Sequence, residues 1–262
     1  MLFNKFYKYQ DKAIRKMKKK LELQTTTLWD YPSQQYLKSE EEKHKHYIGA
    51  TPSYIIWNLL NRYTKEKDLV VDPMAGSGTT IDVARELNRR ALGYDINPKA
   101  LQRKDIFKAD ARKIPIEDEK VDFVFIDPPY STHINYSDEK NCIGKLTAKE
   151  NEYYEAMEKV INEIFRIMKK DRYMALYVSD SYEKGFPFMP IGFKLFEIMS
   201  KYFMPIDIVS VVRHNKTLNK GNYHIAAAEN NFYLRGFNYL FIMYKKGNKT
   251  IDNNGKVHLR NL

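Results

Sequence analysis

Asp127-Pro128-Pro129-Tyr130 brings a carboxylate, two carbonyls on residues that carry no N–H donor and an aromatic ring into four consecutive positions, directly after the apolar run Val121-Asp122-Phe123-Val124-Phe125-Ile126. Such a group can hold a planar amine, with oxygens accepting its hydrogens and the ring covering its face. The apolar run reads as a buried strand. On an open parallel α/β sheet, ligands bind in the crevice outside the carboxyl ends of the strands. Upstream, Leu69-Val70-Val71 runs into Asp72-Pro73-Met74-Ala75-Gly76-Ser77-Gly78-Thr79-Thr80, a strand followed by a glycine-bearing turn and a helix beginning near Thr79.

Gly76 and Gly78 remove side chains where that turn meets a ligand, and backbone N–H groups at the helix start suit a carboxylate. A phosphate loop is excluded because no lysine follows the second glycine, and the dinucleotide pattern lacks its third glycine. Asp72, just before the turn, repels phosphate and accepts from an ammonium group. Tyr94-Asp95-Ile96 ends the next strand, where an acid commonly grips both ribose hydroxyls. Asp110, in Ala109-Asp110-Ala111, ends a third strand and is placed to meet an adenine amine. Each acid alone is equally well a cap or turn residue. Together they describe an adenosine nucleoside without phosphates and with an amino-acid tail, as in S-adenosylmethionine.

The elements that position these groups alternate strand and helix. Strands are predicted at 68–71, 91–94, 106–109, 121–126 and 173–178, and helices near 79–89, 97–103 and 149–169. The stretches 206–212 and 239–244 form an antiparallel edge pair. The expected fold is α/β: a doubly wound, Rossmann-like sheet, mostly parallel, with an antiparallel C-terminal edge hairpin. Before it, Ile55, Ile56, Leu59, Leu60 and Tyr63 form the buried stripe of a helix capped by Thr51 or Ser53, with Pro52 tolerated in its first turn. The chain divides into a basic N-terminal helix and loop (1–45), a catalytic domain (46–246) with short insertions at about 131–149 and 213–236, and a tail (247–262). The first segment includes a lysine-rich helix over 4–23.

The 262 residues carry a formal charge of +11, which favours an acidic polymer as partner through phosphate neutralisation. Twenty tyrosines and fourteen phenylalanines offer faces for base stacking. No apolar stretch is long enough to span a bilayer and no signal-peptide core follows Met1, so a cytoplasmic protein without a membrane partner is expected. The single cysteine, Cys142, excludes an internal disulfide and a multi-cysteine zinc site. His44 and His46 lack a third ligand, and no metal is expected.

On these motifs the sequence resembles the amino-methyltransferases that modify adenine N6 or cytosine N4 in DNA. Asp72 to Thr80 matches that family's cofactor motif and Asp127-Pro128-Pro129-Tyr130 its catalytic motif. Gly49-Ala50-Thr51-Pro52 looks like an upstream cofactor element, and Arg90-Ala91-Leu92-Gly93-Tyr94-Asp95 like the ribose-binding strand. The similarity covers residues 46–180. It implies S-adenosylmethionine bound through Thr51, Pro52, Asp72 to Thr80, Asp95, Ile96, Asp110 and Ala111. It also implies a base flipped from the duplex, stacked on Tyr130 and methylated directly with Asp127 and the Pro128 carbonyl holding its amine. Pro128 and Pro129 fix the loop.

Two departures stand out. The cofactor motif has the wording of the subgroup in which the catalytic motif comes first, yet here it precedes it. The long insertion that usually reads the target sequence is missing, so short elements or a homodimer would have to serve. His133, Asn135, Tyr136 and Lys140 on one loop, and Arg213, His214, Lys216, Lys220 and Tyr223 on another, are the candidate nucleic-acid contacts. Adenine is preferred over cytosine because the motif opens with aspartate. RNA base methylation, protein glutamine methylation and a non-catalytic nucleic-acid-binding module of the same fold are the competing readings.

Overall fold

The computed structural model of the chain describes residues 21–30, 51–98, 104–132, 137–182, 188–214 and 216–247. The helices expected over 4–23 and 97–103, the pair His44 and His46, and the loop residues His133, Asn135 and Tyr136 therefore lie wholly or mostly outside the described residues.

Eight strands form one sheet: β1 (Leu28–Trp29), β2 (Leu69–Asp72), β3 (Arg90–Asp95), β4 (Ile106–Lys108), β5 (Val121–Ile126), β6 (Met168–Val178), β7 (Met204–Val212) and β8 (Phe237–Lys245). Their order is β1-β7-β8-β6-β5-β2-β3-β4. All neighbours run parallel except β8, which is antiparallel to both β6 and β7. The β7–β8 hairpin thus closes one side of a mostly parallel sheet, and β1 adds two residues beyond it. The chain moves outward from β2 through β3 to β4, then returns to place β5 on the other side of β2. That reversal opens a crevice at the carboxyl ends of β2 and β5.

Helices cover both faces. On one, α1 (Ser53–Tyr63) and α2 (Thr79–Glu86) bury Ile55, Ile56, Leu59, Leu60, Ile81 and Val83 against Val70, Phe123, Phe125, Ala175 and Leu240. On the other, α3 (Asn151–Ile167) and α4 (Ile191–Ser200) bury Met157, Ile161, Ile164, Leu195 and Met199 against Val124, Ile126, Met174, Leu176 and Phe241. All six residues of β5 are buried, as a strand covered on both faces requires.

The lone acid within β5 is satisfied. Asp122 accepts from the Leu69 amide (2.9 Å), Lys169 Nζ (2.8 Å) and Arg172 Nε (3.0 Å), tying β2, β5 and β6 together at their amino ends. Burial would raise its pKa, but these donors outweigh burial and hold it below the ordinary range.

Three local expectations change. The N-cap of α1 is Pro52, with no side-chain cap, because the Thr51 hydroxyl is engaged elsewhere. The helix expected to reach 169 ends at Ile167, and β6 starts at once with Met168, five residues before the expected strand. The insertion at about 213–236, for which no helix is predicted, is partly regular. It holds a 3-10 turn (Lys216–Asn219) and a mostly exposed helix, α5 (Gly221–Glu229).

Candidate active site

The carboxyl ends of β2 to β7 and the amino end of β8 enclose a continuous cleft of about 650 Å³, within the range of pockets that hold drug-sized ligands. Its cofactor side is built around the turn after β2. Asp72 Oδ1 accepts from the Met74 amide (3.0 Å) and Oδ2 from the Thr80 hydroxyl (2.6 Å), so one buried acid pins both ends of the turn. The chain reverses there with Gly76 at φ 50° and Gly78 at φ 86°, the left-handed region that a side chain disfavours. Gly78 is the N-cap of α2.

The turn also leans on β3. Ala75 N donates to the Tyr94 carbonyl (2.8 Å) and Gly76 N to Asp95 Oδ2 (3.0 Å), while Asp95 Oδ1 accepts from Asn97 N (2.9 Å). The Gly76 amide is therefore committed to Asp95 rather than to a ligand. Asp95 keeps lone pairs for a ligand, since a carboxylate accepts up to about four hydrogen bonds. Gly93 permits the close approach, because a Cβ there would stand 2.9 Å from Ala75 Cβ.

Past β4, Asp110 is gripped by Arg112 through Nε (2.9 Å) and Nη2 (2.6 Å), and Arg112 also donates to the Asn141 carbonyl (2.8 Å). Burial would raise the Asp110 pKa, but Arg112 outweighs it and keeps the carboxyl below its usual value. This end of the cleft is closed by Asn141, Cys142 and Ile143, which no motif marks.

The other side of the cleft is the tetrapeptide after β5. Asp127 Oδ2 accepts from the Thr51 hydroxyl (2.6 Å), and Oδ1 from the Tyr130 hydroxyl. The two carbonyls differ. Tyr153 Oη donates to Pro129 O (2.7 Å), whereas no described group donates to Pro128 O. Ser131, at φ 70°, turns the chain away and accepts from the Ala148 amide (2.9 Å). Burial pushes both Asp127 and Asp72 up to about 7, against the hydrogen bonds that each accepts.

Asp127, Pro128, Pro129 and Tyr130 line the cleft, as does every residue expected on the cofactor side except Gly78, the buried N-cap of α2. Of the expected nucleic-acid contacts, Arg213 and His214 reach the cleft. Lys140 borders a shallow hollow beside Asn97 and Asn141. Lys220 precedes α5 and Tyr223 lies on it, and neither lines the cleft; the backbone of Lys216 starts the 3-10 turn. Tyr177, Tyr182, Phe232, Tyr233, Arg235 and Asn238 stand there instead. Tyr177 and Asn238 carry no motif, and only their position at the cleft ends of β6, which neighbours β5, and of β8 beside it could have marked them.

A mostly parallel sheet with one reversed strand, helices on both faces and a cleft at the switch point is the Rossmann-like fold of methyltransferases. TrmN from Thermus thermophilus has this fold: its structure overlays 76% of this chain and 50% of its own at a TM-score of 0.51, with 16% identity. The DNA methylase family of N6 and N4 methyltransferases matches residues 2–107 and 121–261, and the chain belongs to that family. Its methyl donor is S-adenosylmethionine.

Among individual relatives, the type II methyltransferase M.HindIII of Haemophilus influenzae is 42% identical over 59 residues, 22% of this chain and 19% of its own length. The DNA adenine methyltransferase YhdJ of Escherichia coli is 32% identical over 75 residues, 29% of this chain and 24% of its own. The matched segments thus span about a fifth to a quarter of these relatives' lengths.

Proposed function

We propose that this protein methylates the exocyclic amine of a DNA base, adenine N6 in preference to cytosine N4. The observation that carries the reading is the tetrapeptide's arrangement, with Asp127 fixed by two hydroxyls beside a Pro128 carbonyl to which no described group donates. The preference for adenine rests on the aspartate that opens the motif and on the likeness to a relative named as a DNA adenine methyltransferase.

The cofactor side fits S-adenosylmethionine, which supplies an electrophilic methyl group when bound. The Asp95 carboxylate retains lone pairs for the ribose hydroxyls, and Asp110, held ionised by Arg112, faces the cleft beside Ala111 as an acceptor for an adenine amine. Asp72, turn residues Pro73 to Ser77, Thr79, Thr80 and Ile96 enclose the remainder with Thr51 and Pro52, and Gly78 shapes the turn.

The amine of adenine or cytosine is a weak nucleophile because its lone pair is conjugated with the ring. Asp127 and the Pro128 carbonyl oppose that conjugation by accepting its two hydrogens, which favours a pyramidal nitrogen. The amine becomes cationic as it is methylated, and the Asp127 carboxylate stabilises that charge before the proton leaves. Thr51 and Tyr130 hold the carboxylate in place. The base leaves the duplex to enter the cleft, and stacking on Tyr130 adds on the order of 1–3 kcal/mol. Arg213 and His214 at the rim, with the overall positive charge, provide for the DNA backbone.

The Asp127→Ala variant tests the assignment. It should bind S-adenosylmethionine with an unchanged Kd and lose methyl transfer to DNA by about a hundred- to a thousandfold, the scale of losing a preorganised transition-state contact. Wild-type transfer rates in that variant would refute it.

A further inference from the structure

Asp127 has a neighbour on the next strand that the mechanism above leaves unused. Ile126 of β5 pairs with Leu176 of β6, so Asp127 and Tyr177 follow at adjacent strand ends. Phe125 and Tyr177 lie in the same core layer, and strand alternation puts Asp127 on that face too. On β8, Leu240 pairs with Tyr177, and Asn238, two residues away, shares the face.

The Asn238 carboxamide Nδ2 donates to Tyr177 Oη at 2.6 Å, and both residues line the cleft. Tyr177 is 5% and Asn238 8% exposed. Among the described residues the bond leaves the phenol proton with no acceptor, and the buried Asn238 Oδ1 has no hydrogen-bond partner. Turning the carboxamide over would bond the phenol to its oxygen and present the NH₂ group instead. In either orientation the pair keeps a hydrogen-bond donor that no described residue satisfies, at a cost that buried polar groups rarely bear without a ligand.

A donor beside an acceptor complements a particular chemical edge. The amine-bearing carbon of adenine is flanked by N1 and that of cytosine by N3, both acceptors. Guanine at O6 and thymine at O4 present the reverse, a carbonyl next to a ring N–H. Resting on the proposed function, we infer that Tyr177, positioned by Asn238, donates to the ring nitrogen beside the target amine while Asp127 accepts from the amine, a two-point reading that admits adenine or cytosine and rejects guanine and thymine. Burial and the nearby Asp127 raise the Tyr177 pKa, so the phenol stays protonated and able to donate.

The test compares kcat and KM on DNA duplexes carrying the methylated site, with the target base natural or with its ring nitrogen replaced by C–H (1-deazaadenine, or 3-deazacytosine if cytosine is the product). Wild type should lose about tenfold in kcat/KM on the deaza base, the worth of one hydrogen bond at a buried site. Tyr177→Phe should lose about tenfold on the natural base and nothing further on the deaza base. Asn238→Leu should show a partial loss with the same missing response, while S-adenosylmethionine affinity stays at the wild-type value in both variants. Equal wild-type rates on the two bases, or losses that multiply in Tyr177→Phe, would overturn the inference while leaving amine methylation intact. Should Tyr177→Phe not fold, the wild-type comparison and Asn238→Leu still decide. A wild-type protein that methylates neither adenine nor cytosine would remove the reading on which the inference stands.

Discussion

At the scale of single residues, Asp127 and Asp72 give the site a pH signature. Both carboxyls are raised from the ordinary value of about 3.9 to about 7, by burial against their hydrogen-bond donors. In the proposed mechanism the transfer needs Asp127 ionised, so kcat/KM should climb as pH rises through about 7 and level off above it. Asp72 and Asp127 repel each other when charged, so the profile reports the pair. Thr51 holds the Asp127 pKa down. Thr51→Val should therefore move the midpoint upward and slow the reaction several-fold at pH 7, with the alkaline plateau nearer wild type. An unmoved midpoint would place Thr51 outside the catalytic arrangement. The same raised values bear on stability. Below the unfolded pKa both acids are protonated in either state and cost nothing; their stabilising share is lost as pH rises through about 7. Asp72→Asn should accordingly flatten the rise in apo-protein Tm seen on lowering pH from 8 to 5.

At the scale of elements, two contacts hold the cleft in shape. Gly93 of β3 lets the cofactor turn rest on the strand, and an added Cβ would meet Ala75 Cβ at 2.9 Å and Ile106 Cγ1 at 3.1 Å. Gly93→Ala should cost about 1–3 kcal/mol of stability through overpacking and weaken S-adenosylmethionine binding in calorimetry. At the opposite end of the sheet, Asp122→Ala removes the acceptor for Leu69, Lys169 and Arg172 and should cost about 2 kcal/mol in denaturant unfolding. The folded pKa of Asp122 is lowered, so its contribution holds above the unfolded value and fades as pH falls through the folded one.

The same elements show what a sequence displays. β2, β3 and β5 were legible because central parallel strands need largely apolar runs, and the motifs followed as their carboxyl-terminal punctuation. α4 was hidden by Gly192 and by Pro190 before it, although the parallel step from β6 to β7 demands a crossover. The start of β6, Met168-Lys169-Lys170-Asp171-Arg172, is polar because two of its cations serve Asp122 across the sheet. Thr51 passes locally as a cap residue, and its bond to Asp127 spans 76 positions of sequence. Tyr177 sits inside a strand that reads as core and Asn238 just before the expected strand 239–244, and only the sheet order brings Tyr177 beside Asp127 and Asn238 against Tyr177.

At the scale of the molecule, the sheet's reversal at β2 brings the turn after β2 and the tetrapeptide after β5 to one cleft, and the chain carries a formal charge of +11. No helix among the described residues is long and apolar enough to cross a membrane. DNA binding should weaken steeply with salt, log K falling linearly with log salt concentration, and a salt-independent affinity in filter binding would contradict the phosphate-binding role of the charge. The central claim is that the cleft methylates a base amine in DNA. Incubating the protein with methyl-labelled S-adenosylmethionine and separate DNA and RNA pools, then resolving the digested nucleosides, measures this directly. The account predicts label in N6-methyldeoxyadenosine; label only in RNA nucleosides, or in neither polymer from protein that binds the cofactor, would contradict it.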